Sequence, residues 1–508
     1  MSETFTKEEI AILQPYVSNT DKPIFVLKNL PEEVVAVLFA YYSRSKGNLR
    51  RNLLKLIQDQ QINLTEEFVE PSRGEHELAL AREEARQFHE RWVVGYGHAS
   101  VAEHAVAHIA IEDVSIIASK IIEDMRLASY TEKSTRYVIF GENHYYRPPE
   151  LISSEFRGEF EKTMQHLFRT YIQLTETVIE KIKKQVPKPD DMTEERYHAA
   201  CRAKACDILR YILPAATYTN VGMTINGRAL EYLLIKMLSH PLGEVQETAN
   251  LIKQEALTVI PTLIKYADYN KYKSETEKSM RRIGKEFFNA AEDGIKNNQV
   301  RLVRYVEDAE DQLVAAILFG YVQNSYEEVR KKVDSLSTEE KQKIIDEYLK
   351  RRGKWDQPLR ALEHIYYTFD ILIDFGAFRD VQRHRMATQT SQLLTNKYGY
   401  STPPEIIEFG NTSQFNECME RAGGLYERIA PKFPYEAQYV LPLAYRKRVL
   451  FTWNLRELHH FISLRSSKEG HISYRNIAQQ VYKELERVHP FLAKYVRVDM
   501  SQYDMARL

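Results

Sequence analysis

The residues best equipped for chemistry in this 508-residue chain are Arg383-His384-Arg385, two guanidiniums and an imidazole in three consecutive positions. Arginine offers a planar fork of donors that fits phosphate or a carbonyl edge, and histidine can donate to a ring or stack on it. The chemistry of such a triplet is anion recognition; on its own it reads sooner as the solvated basic end of a helix. Earlier in the chain the corresponding stretch is Asp124-Met125-Arg126, followed after seven residues by Ser134-Thr135-Arg136-Tyr137. The three cysteines, Cys201, Cys206 and Cys418, stand in no nucleophile motif and make no disulfide framework. No His/Cys/Asp group has metal-site spacing, and no Gly-rich phosphate loop follows a strand.

The correspondence between the two triplets extends along the whole chain. Leu38-Phe39-Ala40-Tyr41 recurs as Leu318-Phe319-Gly320-Tyr321, and Glu103-His104 as Glu363-His364. Pro148-Pro149-Glu150 recurs as Pro403-Pro404-Glu405, and Leu213-Pro214 with Asn226 and Arg228 as Leu441-Pro442 with Asn454 and Arg456. The offsets fall in order, 280, 260, 255 and 228 residues. Chance matches would scatter, whereas a falling series marks two collinear copies with extra residues in the first. Copy one spans 1–275 and copy two 299–508, joined by a polar linker at 276–298.

The elements that must position these residues read mostly as helix. Apolar side chains at helical spacing predict a helix over 32–43, repeated at 316–321, and buried helices over 224–238 and 451–464. Residues 107–111 and 366–371 are β-rich and predict strands. An apolar segment at 369–378 should hold Arg383-His384-Arg385 rigidly, and 334–352 predicts a charged surface helix. Extra residues near 47–72 and 334–352 are read as insertions. Composition is that of an ordinary globular protein: 44% apolar, 28% charged, formal charge −1. That balance gives no global reason to expect nucleic acid, no apolar run is long enough to span a bilayer, and the acidic N-terminus lacks a signal-peptide pattern. A reducing cytoplasm is the expected compartment.

Together these motifs resemble the flavin-dependent thymidylate synthases. Their signature is Arg-His-Arg, seven residues, then Ser, continuing as Ser-x-Arg-Tyr. Gly97-His98-Ala99-Ser100-Val101-Ala102-Glu103-His104 resembles the family's flavin-contacting segment. Leu441-Pro442, Trp453-Asn454-Leu455-Arg456-Glu457-Leu458 and Leu464-Arg465 resemble its C-terminal region. The resemblance implies an α+β, helix-rich fold: two modules, each with helices packed around a small, mainly antiparallel sheet. It also implies methylation of dUMP, with methylenetetrahydrofolate as carbon donor, FAD as hydride donor and NADPH as reductant, and no metal.

Each copy departs from the signature in a different place. Copy one has Asp124 and Met125 for Arg and His; copy two has Leu393 for Ser and Gln438 where copy one has Arg210. The family assembles each site from several subunits, so the resemblance implies composite sites. Glu132, Ser134, Arg136 and Arg210 of copy one would hold the nucleotide with Arg465, while copy two supplies Arg383, His384, Arg385 and Arg465 for catalysis. The flavin would be held by His98 and Ser100 with Arg383, His384, Arg385, Asn454, Arg456 and His460. Two chains would pair into a pseudo-tetramer. The alternatives are a homologue that binds flavin or nucleotide without turnover, and a helical nucleic-acid scaffold using the basic residues at 379–385 and 446–448.

Overall fold

The computed structural model describes residues 4–42, 47–58, 101–261, 264–288 and 299–503. Two small antiparallel sheets lie among many helices. The first contains β1 (Val106–Ser115), β2 (Ala128–Glu132) and β3 (Tyr218–Asn226), in the order β1-β3-β2. The second contains β4 (Val300–Tyr305), β5 (Tyr366–Asp374), β6 (Thr388–Ser391) and β7 (Arg446–Asn454), in the order β4-β5-β7-β6. Burial alternates along β3 and β7, so each central strand turns one face to a core. Tyr130 stands opposite Met223 in the first sheet and Gln389 opposite Phe451 in the second, equivalent positions in the two copies. Both the helix-rich α+β class and the two-module plan expected from the sequence are therefore present.

The same capping chemistry starts the same helices in each copy. Ser115 accepts from the Ala118 N–H (3.0 Å) to open the Ile116–Ile122 helix, and Asp374 accepts from Ala377 (2.7 Å) to open Phe375–Val381. Asn226 caps Gly227–Leu238 and Asn454 caps Leu455–Arg465. In each case a short side-chain oxygen satisfies a donor that the first helical turn leaves free. These caps correct two expectations. The helices expected over 224–238 and 451–464 begin only after Asn226 and Asn454; the residues before them, including Thr452 and Trp453, complete β3 and β7.

The helix expected over 334–352 is two, Tyr326–Asp334 and Thr338–Leu349, each opened by its own Ser/Glu capping box. The polar stretch expected as a linker begins within a helix, Lys271–Phe287, and 289–298 lie outside the described residues. Of the first expected insertion, the Leu49–Gln58 helix is described and the remainder from residue 59 is not.

The chain divides into two compact units. One comprises Met1–Val114, Leu127–Glu132 and Asn220–Phe287. It holds the first sheet and a helical cluster in which Leu13, Leu38, Leu53 and Leu54 are fully buried. The other comprises Ser115–Arg126, Lys133–Thr219 and Phe288–Leu508. Within this second unit the copies meet through reciprocal backbone bonds. The Leu443 N–H donates to the Leu213 carbonyl (2.9 Å) and Ala215 to Leu441 (2.8 Å); Ala444 donates to Tyr211 (3.2 Å) and Ala216 to Tyr439 (3.0 Å). Pro214 faces Pro442 at the centre, where neither has an N–H to give. Each bond is the image of another under exchange of copies, which is the signature of a local two-fold. In the same unit, Phe451 stacks on Trp453 (4.6 Å between centroids) and Trp453 on Phe461 (4.7 Å), and the Phe461 ring meets His384 edge-on at 5.1 Å.

Candidate functional site

The Phe375–Val381 helix delivers Asp380 and, just beyond its end, Arg383 and His384. The Leu455–Arg465 helix delivers Glu457 from its first turn and Arg465 from its last. His384 is buried between them. Its Nδ1 lies 3.0 Å from Glu457 Oε1, and its Nε2 lies 2.9 Å from the Arg465 Nε–H. Burial holds the imidazole pKa below its ordinary value; Arg465 reinforces this, against the opposing pull of Glu457.

Copy one closes on the same place from the other side. Arg136 is buried and grips Asp207 with two parallel bonds, Nε–Oδ1 at 2.6 Å and Nη2–Oδ2 at 2.7 Å. Its Nη1 donates to the Tyr474 hydroxyl at 3.3 Å, and its backbone N–H to Ser134 Oγ at 3.2 Å. Arg210, one turn beyond Asp207, is only 2% exposed. It stands 3.7 Å from Asp207 and 3.8 Å from Asp380, contacts too long for hydrogen bonds. Its Nε and Nη2 have no hydrogen-bond partner among the described residues. Arg465 Nη1 lies 3.8 Å from the other oxygen of Asp380.

Burial alone would raise the pKa of both aspartates. At Asp380 this is outweighed by Arg210, Arg465, Arg383 and Arg136, which leave the carboxyl below its ordinary value. At Asp207 it is outweighed by His471, Arg210 and Arg136, with the same result. Four arginines (136, 210, 383 and 465) thus act on these two carboxylates, and Arg210 acts also on the buried Asp374. Nearby, Tyr211 stacks on His471 at 5.4 Å, and burial pushes the His471 pKa down to about 3.

Of the residues singled out from sequence, Ser134, Arg136, Arg210, His384 and Arg465 come together here. Arg383 is exposed at the edge and contributes charge to Asp380. His460, also exposed, has its ring 5.3 Å from that of His384. Arg385 donates across the local two-fold to the Met125 carbonyl (2.8 Å), as Arg126 does to Ala387 (3.0 Å). Asn454 uses its side chain as a helix cap, accepting from Glu457 N–H at 2.8 Å. Arg456 is held by Glu363 and the Pro358 carbonyl, each at 2.7 Å. The first unit repeats that pair as Arg228–Glu103 at 2.6 Å. Glu132 ends β2 opposite Val221, in the first unit. His98 and Ser100 lie outside the described residues.

Sequence reasoning missed Asp207, Asp380, Glu457 and Tyr474. The available signal was an acid three residues before Arg210 and another three before Arg383, about one helical turn in each case.

The place equivalent to the Arg210 cluster under the local two-fold is filled by the chain itself. Gln438, the counterpart of Arg210, accepts from the Leu394 N–H (2.9 Å) and donates to the Tyr435 carbonyl (3.0 Å). Lys120 and Glu123, the counterparts of Arg379 and Gln382, form a buried ion pair. Lys447 is packed over the Phe378 ring at 4.4 Å, and burial lowers its pKa to about 8 against the opposing charge of Asp124. Burial raises Cys206 and Cys418 to about 11, which keeps both as thiols. Among the described residues no group of three or more His, Cys, Asp or Glu could hold a metal ion, and no helix is long and apolar enough to cross a membrane.

The sequence model described as thymidylate synthase complementing protein matches this chain twice, over residues 52–262 and 301–491. A Chlamydia muridarum UPF0159 protein is 38% identical over 99% of this chain and 97% of its own length. A Clostridium tetani flavin-dependent thymidylate synthase is 28% identical over 39% of this chain and 86% of its own. The Helicobacter pylori flavin-dependent thymidylate synthase, solved with FAD and dUMP, is 19% identical over 40% of this chain and all of its own, at a TM-score of 0.29. With two matches that together cover well over half of its length, the chain belongs to the thymidylate synthase complementing protein family.

Proposed function

We propose that this chain is a flavin-dependent thymidylate synthase-like enzyme with one composite site per chain. It would methylate dUMP to dTMP, taking carbon from methylenetetrahydrofolate and hydride from FAD that NADPH has reduced. The observation that carries the reading is Arg210, a buried guanidinium whose Nε and Nη2 have no hydrogen-bond partner among the described residues. A phosphate monoester brings about −1.5 to −2 charges and three acceptor oxygens, so it both suits a site lined by arginines and satisfies the orphaned donors.

In this reading Arg136, fixed by Asp207, and Arg210 hold the nucleotide phosphate with the Ser134 hydroxyl. Arg465 is aimed at the pyrimidine. The exposed Arg383 and His460, flanking His384, fit the anionic edge of a reduced flavin, which supplies the hydride when bound. Arg385, Asn454 and Arg456, occupied by Met125, Glu457 and Glu363, act by holding the frame. The copies 1–275 and 299–508 are the units of duplication, and a homodimer would form the pseudo-tetramer. A second reading, binding without turnover, is favoured by one observation: both ring nitrogens of His384 are already taken.

The deciding experiment adds FAD to the purified protein, titrates dUMP while following the flavin bands, and then measures tritium release from [5-³H]dUMP with folate and NADPH. The expected results are a spectral shift on adding nucleotide, followed by release. Arg210→Met should weaken dUMP by at least about tenfold while leaving the circular dichroism unchanged. A spectral shift without release would establish the binding-only reading, and a protein that takes up neither FAD nor dUMP would overturn both.

A further inference from the structure

The Glu457 carboxylate is given no role toward the ligands above, yet it points at the one nitrogen of His384 that faces away from the arginine cluster. The geometry leaves the tautomer no choice. A carboxylate only accepts, so His384 Nδ1, 3.0 Å from Glu457 Oε1, must carry the proton. A guanidinium only donates, so Nε2, 2.9 Å from Arg465 Nε, must present its lone pair. Glu457 and Arg465 sit on one helix, in its first and last turns, and His384 bridges them from another. The Arg465 fork is thereby turned so that Nε faces the imidazole and Nη1 faces Asp380 at 3.8 Å. The imidazole is itself clamped edge-on by Phe461, at the end of the aromatic stack.

We infer that Glu457 is a positioning residue: through the imidazole of His384 it fixes the orientation of Arg465, and so sets the affinity of the site for its nucleotide. Were the Glu457 carboxylate removed, the imidazole could place its proton on Nε2, facing the Arg465 donor, and the arginine would have to turn away. In copy one the equivalents of Glu457, His384 and Arg465 are Ala229, Met125 and Met237, so the whole relay exists once per chain. The inference rests on the nucleotide reading for its effect on affinity, but not for its effect on the imidazole.

Two measurements on the full-length protein separate those parts. The first is the ¹⁵N spectrum of histidine-labelled protein at pH 7.5, with the His384 signals assigned by loss in His384→Gln. It should show a neutral Nδ1–H tautomer in wild type and in Glu457→Gln, and a shift toward Nε2–H in Glu457→Ala. The second is dUMP titration in a double-mutant cycle. Glu457→Ala should weaken dUMP about tenfold, and Arg465→Ala by about tenfold to a hundredfold, the range of one charge-assisted hydrogen bond. In the Arg465→Ala background Glu457→Ala should add less than about twofold. Glu457→Gln, which keeps an acceptor oxygen, should bind as wild type does. Additive losses would overturn the inference, as would an Nε2–H tautomer in wild type. If wild type shows the expected tautomer but no affinity for dUMP, the nucleotide reading fails while the Glu457–His384–Arg465 relay stands.

Discussion

His471 illustrates how single side chains set the conditions under which this protein is stable. It is a neutral imidazole in the fold, accepting from the Ser473 N–H at 3.1 Å, with burial holding its pKa near 3. Unfolded, the same group takes up a proton near pH 6.5. Between those values the unfolded chain binds the extra proton, so stability is complete above about 6.5 and falls as the pH drops, by about 1.4 kcal/mol per unit for such a group. His459, also held near 3 by burial, adds a second such term. Urea midpoints measured from pH 7.5 to 5 should fall steeply, and His471→Gln should flatten the slope. Asp207 makes a different demand. Arg136→Ala leaves its carboxylate buried without its bidentate partner and should cost about 3–5 kcal/mol in urea denaturation. Asp207→Asn in the same chain should recover part of that loss without restoring nucleotide binding. The arginines of the site were legible in the sequence because two imperfect copies could be compared. Asp207 and Asp380 were not, because an acid one turn before an arginine is an ordinary surface pair until the fold buries it.

At the scale of elements, the boundaries carry the site. Asn454→Ala removes the cap of the helix that bears both Glu457 and Arg465, and should lower stability by about 1 kcal/mol, read as a drop in Tm. The strand β5 was legible from its β-rich composition, whereas the ends of β3 and β7 were not. Apolar residues run without a break from strand into helix there, and periodicity cannot separate the two states over so short a run. Only the capping asparagines mark the junctions, and asparagine is as common in turns. Tight packing between elements makes a further prediction. A Cβ on Gly423, in the Thr412–Ile429 helix, would stand 2.5 Å from the Tyr445 hydroxyl, which donates to the Met419 carbonyl. Gly423→Ala should therefore cost about 1–3 kcal/mol, and Tyr445→Phe should recover part of it by removing the obstructing oxygen. Calorimetric Tm values of the two single variants and the double variant would test the compensation.

At the largest scale, the second unit is a symmetric frame with an asymmetric content. In the second unit the backbone bonds around Pro214 and Pro442 keep the two-fold intact, while the side chains on either side of it have diverged. One side offers Arg210 with two nitrogens that lack a hydrogen-bond partner among the described residues; the other has Gln438 satisfied by its own neighbours. Isothermal titration should accordingly find one dUMP per chain, and Gln438→Arg alone should leave that number unchanged, because Thr395 still stands where the site has Arg136. The duplication itself was legible in the sequence as a falling series of offsets. That the copies close on each other through residues 211–216 and 439–444 was not, since nothing in Leu-Pro announces its partner. The join also governs how this protein is born. Residues 211–216 are all buried, by a segment about 230 positions further along the chain. At about 5–20 residues per second a ribosome needs roughly 10–50 s to make that distance. Throughout that interval the nascent first copy carries an apolar seam whose partner strand of backbone has not yet been made.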